Sequence, residues 1–494
     1  TTELLRGANT ERPAPLFQGC PMDHRFFYWL FWTSALLYPF VLWPGRFGAA
    51  WVNPEEVWIF PKVVFLLLVG VLGMVEGRRA LTTPFGLLMA LYLGLVLLSS
   101  FRPLLTDDPT YTLLGGEGRM DGLLYQIGLV LFALLAFRVF QKEPRGFRAF
   151  SYVLLGSTAF QSLLLLLQRL GLEPIGPLLR GLPYEAPVGT VGNPGMAAGL
   201  LLPGLLLGLG LWLERSAPRR GHLKDRFSFL FFPLTALMAL GLGVTLNRAG
   251  LLGLTVALGL WLLRQRSLHL ALTGALSVLL ALSAPTLIPD RQGFSKEFSN
   301  PTTGFTRLLI WKLAWEGIRS TPGQPLLGGG PDAFRVALLT RIPFERLLEE
   351  YRLEYGWPKG AKAKEIKPLW TSQDPLRSRA WLVLFGNWRD ERTGKQAKIL
   401  RVYLDKAHNL FLDRWLSYGL FAALVWVYFY PGGALKAWGD TPLRQALATG
   451  LIGLFVYYLF WFPVPQVEPL HAALIGAAFG LSRRVELPGS PGPV

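Results

Sequence analysis

The sequence predicts an all-α membrane protein with about twelve transmembrane helices and a large external, partly helical loop between the ninth and the tenth. Three observations predict it. Of 494 residues, 51% are hydrophobic and only 16% charged, with a mean hydropathy of +0.36, a balance that a water-soluble chain of this size rarely shows. Apolar windows of the roughly 20 residues needed to cross a hydrocarbon core recur from end to end. The connectors between them alternate between basic and poor in charge, the asymmetry that orients membrane helices.

Residues 1–25 are polar and lack a small-residue cleavage site after an apolar run, so they read as a cytoplasmic N-terminal segment, and Phe26 opens a retained span rather than a signal peptide. Nine spans are expected within 26–288, near 26–43, 57–75, 84–100, 123–140, 150–167, 194–213, 227–246, 249–263 and 268–288. Three more are expected within 410–482, near 410–430, 443–462 and 467–481, before a cytoplasmic tail at 483–494. The connectors after even-numbered spans carry Arg78, Arg79, Lys142, Arg145, Arg148, Arg219 and Arg220 among others. With the termini this gives about 18 Lys and Arg on one side against about six on the other. That bias places both termini in the cytoplasm.

The connector 289–409 is too long for a bare loop and too charged to cross a bilayer, so it should lie outside and carry its own helices. From Thr306 to Arg319, Leu308, Leu309, Trp311, Leu313, Trp315 and Ile318 form a broad apolar face; Phe344, Leu347, Leu348 and Tyr351 repeat the pattern between Pro343 and Tyr355. Their Trp, Tyr and Arg content suits helices lying on the membrane surface. The stretch 357–401 yields no assignment.

The formal net charge of +17 sits in connectors rather than on one basic face with interleaved aromatics, which argues against a nucleic-acid partner. The single cysteine, Cys20, excludes an internal disulfide and a cysteine-based metal cluster.

This topology sorts the polar residues by side. His24, His222 and His269 fall on the cytoplasmic side, while His408 and His471 fall outside, His408 where the long loop re-enters the membrane. Lys62, Arg119, Arg169, Asn193 and Arg248 sit at the outer boundary, and Arg307 belongs to the outer loop. Cations near membrane depth are costly unless paired or facing a wet cavity, so their convergence on one side argues for an anionic ligand such as a lipid diphosphate. For any one of them, snorkelling to the interface or a structural ion pair is an equally available explanation. It suits Lys62 and Arg169 best, and Arg248, in a tight turn between two spans, least.

Four stretches resemble the bacterial O-antigen ligase/polymerase family. Ala407-His408-Asn409, followed after nine residues by Gly419, matches the family's signature at re-entry from the large external loop. Arg307-Leu-Leu-Ile-Trp311 with Pro325-Leu-Leu-Gly328-Gly-Gly330-Pro-Asp-Ala-Phe334 matches its Arg, Trp, Pro-Leu-x-Gly-x-Gly, Phe pattern. Thr245-Leu-Asn-Arg248-Ala-Gly is similar to the Ser-Arg-Gly turn after the seventh span, with Asn247 where Ser is commoner. Gly118-Arg119-Met-Asp-Gly122 and Gly189-Thr-Val-Gly192-Asn193-Pro194 complete the set, the latter carrying Gly195 where Asn is frequent.

The resemblance implies an enzyme of lipopolysaccharide biosynthesis in the bacterial cytoplasmic (inner) membrane, its active site facing outward. The donor would be a glycan on undecaprenyl diphosphate and the acceptor a glycan or glycolipid hydroxyl, with membrane lipids as surroundings. His408 would be the catalytic base, and Arg248 and Arg307 would bind the diphosphate, with Asn409, Arg119, Lys62, Arg169 and Asn193 as secondary candidates. Ligase and polymerase are not separated by these motifs. No cofactor or metal is required: the outer acidic pairs Asp107-Asp108 and Glu55-Glu56 have the chemistry for a divalent cation, but adjacent carboxylates in loops are usually just solvated. A lipid-linked oligosaccharide flippase with a cationic lumen is the non-enzymatic alternative.

Overall fold

The computed structural model describes residues 24–42, 54–101, 109–116, 119–175, 187–216, 230–290, 303–320, 323–343 and 406–482, together with short strands within 363–401. These residues are mainly α-helical, and each of the twelve apolar windows falls on a helix: α1 (His24–Leu37), α2 (Pro54–Gly77), α3 (Pro84–Ser100), then, beyond the short α4 (Pro109–Leu114), α5 (Leu123–Lys142), α6 (Gly146–Arg169), α7 (Pro194–Ser216), α8 (Phe231–Val244), α9 (Arg248–Gln265) and α10 (Leu268–Leu287), followed after the connector by three at 410–437, 442–458 and 468–481. Six are long and apolar enough to cross a membrane by length and composition, and α3, α8 and the last helix are apolar but shorter. The chain thus has the build of an α-helical membrane protein.

The helix starts follow local chemistry. The side chains of Thr83, Asn247 and Ser267 each accept from the backbone N–H three residues on, satisfying a donor that the first turn of α3, α9 or α10 would otherwise leave orphaned. Packing separates central from peripheral helices. In the apolar window of α7, 94% of residues are buried, against 33% in α10. The remainder of α10 presents Leu268, Leu272, Leu276, Leu279 and Leu282 outward, an apolar stripe that hydrocarbon, not water, would solvate.

In the connector, the helix expected from Thr306 begins at Thr303 and forms α11 (Thr303–Arg319), followed by α12 (Gln324–Leu327) and α13 (Ala333–Thr340). A second, smaller core holds them together: Ile310, Leu313 and Ile318 of α11 pack with Phe334, Ala337 and Leu338 of α13, and with Ala407 and Leu416. The segment that yielded no assignment departs from the all-helical expectation. There β1 (Ala363–Trp370) pairs antiparallel with β2 (Ala380–Gly386), Ile366 opposite Leu384. β2 is a continuous apolar run of Ala-Trp-Leu-Val-Leu-Phe between charged flanks, a composition that suits a strand and is too short for a span.

The expected helix from Pro343 to Tyr355 lies outside the described residues beyond 343, as do Cys20, His222, Asp107-Asp108, the first 23 residues and the tail from 483. The side chains of Glu55-Glu56 also lie outside them.

α14 (Leu410–Ala437) is broken at Gly419, whose φ of 86° and ψ of 167° are not helical. A Cβ on Gly419 would lie 2.1 Å from the Leu326 carbonyl oxygen, and one on Gly328 2.4 Å from that of Ser417. The break frees the carbonyls of Leu416 and Ser417, which accept from Gly329 and Gly330, both at 2.8 Å. The glycine run after α12 therefore docks edge-on into the break, and the missing side chains of Gly328 and Gly419 permit the approach. α15 (Pro442–Tyr458) and α16 (Glu468–Leu481) then return through the bundle, α15 against α7 and α9 and α16 against α5.

Candidate functional site

Asn409 is the N-cap of α14: its side-chain oxygen accepts from the Leu412 N–H at 3.1 Å while its amide donates to the Leu459 carbonyl at 2.9 Å. The residue before it, His408, is held at φ 51°, in the left-handed region. Its ring stands edge-on to Trp461 and Phe462, with centroids 5.7 and 4.7 Å away. Nδ1 lies 3.1 Å from the Lys406 carbonyl. A carbonyl only accepts, so Nδ1 carries the hydrogen and the lone pair of the neutral ring sits on Nε2.

Arg248 and Arg307 line one cavity of about 250 Å³, with Gly195, Asn247, Phe460 and Trp461 also in its wall. Arg248 is the first residue of α9, behind the Asn247 cap, so guanidinium charge and the positive end of an 18-residue helix coincide there. Arg307 comes from α11, and its guanidinium lies 6.0 Å from the centre of the Trp461 ring. Arg119 stacks over Phe462 at 4.7 Å. The segment Phe460–Phe462, between α15 and α16, thus joins His408, Arg119 and Arg307 around one aromatic strip. Gly195 adapts to it: a Cβ there would fall 2.1 Å from the Trp461 indole, so this position, where Asn is frequent in the resembling family, admits no side chain here.

The other candidates have local partners. Asn193 accepts from the Gly195 N–H at 2.7 Å and shapes the turn into α7. Lys62, fully buried, donates to the carbonyls of Val41 at 2.7 Å and Thr190 at 3.2 Å. Arg169, equally buried, donates to Pro285 at 3.1 Å and Ile288 at 3.0 Å and so closes the C-terminal end of α10. His471 is buried in α16 between the Tyr458 hydroxyl and the Gly199 carbonyl.

Two charged groupings escaped the sequence reading. Lys406 reaches Asp121 at 2.6 Å and Asp332 at 3.4 Å, and Arg335 lies 3.3 Å from the other oxygen of Asp332. Burial alone would raise the Asp121 carboxyl and lower the Lys406 ammonium, but their mutual attraction prevails: Asp121 is held below the usual carboxylate range and Lys406 above the usual lysine value. Arg414 pairs with Glu468 at 2.7 Å, and Tyr125 donates to the same carboxylate. Asp121 and Asp332 stand within two of the stretches quoted for the resemblance, which was the available signal. Their shared partner, 285 residues from Asp121, was not visible in sequence.

No protein-family model, curated protein or solved structure matches this chain.

Proposed function

We propose that the chain is a membrane glycosyltransferase of the O-antigen ligase/polymerase type, moving a glycan from undecaprenyl diphosphate to an acceptor hydroxyl on the outer face of a bacterial cytoplasmic membrane. The observation that carries this reading is the cavity that Arg248 and Arg307, far apart in sequence, line together beside Trp461, against whose ring His408 packs. Two arginines and a helix N-terminus suit a diphosphate, since planar guanidinium donors match its oxygens and stabilise the charge that grows as it departs.

In the reaction, the acceptor oxygen attacks the anomeric carbon from the side opposite the leaving group. The carbon–oxygen bond to the diphosphate breaks with its electron pair, and the hydroxyl proton passes to Nε2 of His408. With Nδ1–H directed at the Lys406 carbonyl, Nε2 is the ring nitrogen that would receive it. Twelve spans with both termini in the cytoplasm fit this reading, because they put the cavity, the re-entry point and the long connector on the outer side.

The test is reconstitution of wild type, His408→Ala and Arg248→Ala with polyprenyl-diphosphate glycans, with and without a separate acceptor, in chelator. Transfer and release of the carrier are followed together. Loss of about 10²–10⁴-fold in rate for His408→Ala and a raised donor KM for Arg248→Ala are expected. Undiminished transfer by His408→Ala would remove His408 as the base, and carrier that crosses the bilayer with its glycan attached, without transfer, would sink the reading in favour of a flippase. A ladder formed without added acceptor would identify a polymerase, and dependence on one a ligase.

A further inference from the structure

Three segments far apart in sequence meet at Lys406. Its ammonium is 3.4 Å from Asp332, just before α13, and 2.6 Å from Asp121, just before α5. All three residues are buried, Lys406 at 3%, Asp332 at 1% and Asp121 at 8% exposure. Removing three charges from water is costly unless good geometry offsets it, so the grouping has a narrow tolerance for movement. The backbone of Lys406 also touches the site, because its carbonyl is what Nδ1 of His408 meets at 3.1 Å. The next N–H, of Ala407, donates to Asp413 at 2.9 Å. The turn 406–408 is therefore held by an ion pair at its first side chain and by a carboxylate at its middle peptide, and the left-handed His408 follows from that path.

We propose that Lys406, Asp121 and Asp332 are positioning residues for His408. The buried ion cluster fixes the Lys406 peptide, and the peptide fixes the ring's tautomer and direction. This rests on the reading of His408 as the base. A cluster serving only to hold the fold together would change melting temperature without separating turnover from binding. A positioning cluster changes kcat while the arginines that hold the donor keep KM.

The experiment compares wild type with Asp121→Asn and with the double variant Asp121→Asn/Lys406→Met, which removes both members of the closer pair and leaves Asp332 its contact with Arg335. Steady-state transfer is measured alongside the rate at which diethyl pyrocarbonate modifies His408, read by peptide mass mapping in the full-length detergent-solubilised protein. Size-exclusion profiles establish that each variant is folded. The expected result is a kcat lower by about 10²-fold, a donor KM within about twofold of wild type, and an altered modification rate at His408. A folded double variant with wild-type kcat and a wild-type modification rate overturns the proposal. Wild-type protein inactive on every polyprenyl-diphosphate donor would instead sink the transferase reading, and the modification rates would still decide whether the cluster sets the ring.

Discussion

Arg169 and Arg248 are both arginines at the ends of apolar helices, and their surroundings separate them. Arg169 directs its donors to the carbonyls of Pro285 and Ile288, whereas Arg248 stands in a cavity wall. Arg169→Met should therefore leave donor KM unchanged and lower the melting temperature, since it strands two buried carbonyls at about 1–3 kcal/mol each. A donor KM that rises as it does in Arg248→Ala would place Arg169 in the binding site instead. For Asp121 the sign of the pH dependence follows from its depressed carboxyl. Its ion pair contributes fully above the unfolded carboxylate value of about 3.9 and is lost as pH falls through the lower folded value. At pH 7 Asp121→Asn should cost about 3–5 kcal/mol, and the gap from wild type, measured by thermal unfolding in detergent, should close in acid. An unchanged gap at pH 3 would mean that the carboxylate is not the stabilising form. The sequence named Arg248, Arg307 and His408 because they stand in the motifs of the resemblance and fall on one side of the expected topology. It passed over Lys406 because a lysine in a charged loop reads as solvated until its partner is known.

At the scale of elements, the broken helix α14 joins two of the quoted motifs into one structure. The glycine that follows the His-Asn pair and the glycine run after α12 are the two sides of one junction. Gly419→Ala should therefore destabilise strongly: about 1–3 kcal/mol for the positive φ, plus the clash with Leu326. A melting temperature within a degree of wild type would show that the break is not required. Helices were legible because hydrophobic length is a local property, and the caps at Thr83, Asn247 and Ser267 mark their starts residue by residue. Asn247 shows why a departure from a motif can be harmless, as Asn caps a helix about as well as Ser. The strand pair was illegible because β1 mixes Lys, Glu and Pro with Ile, Leu and Trp, so its pattern was lost among charges. The aromatic strip Phe460–Phe462 was equally hidden, since three apolar residues at the end of a span look like more span.

At the scale of the whole molecule, the proposed twelve-span arrangement predicts a labelling pattern that the single cysteine makes simple to read. In spheroplasts, Cys20 should resist a membrane-impermeant maleimide until the cells are lysed. A cysteine placed at Lys395, in a Cys20→Ser background, should react at once. The reverse pattern would invert the orientation and put the cavity on the cytoplasmic side. One further consequence follows from the contact between Asp332 and Lys406. The chain leaves that contact and returns to it, so the ion pair holds the two ends of the intervening sequence together. A sequence between ends so held can be shortened, or exchanged for another of different length, at little entropic cost. If it governs which acceptor docks, a chimaera carrying a foreign insert would change acceptor preference while consuming the same donor, and evolution would have had an easy place to alter the product without disturbing the chemistry.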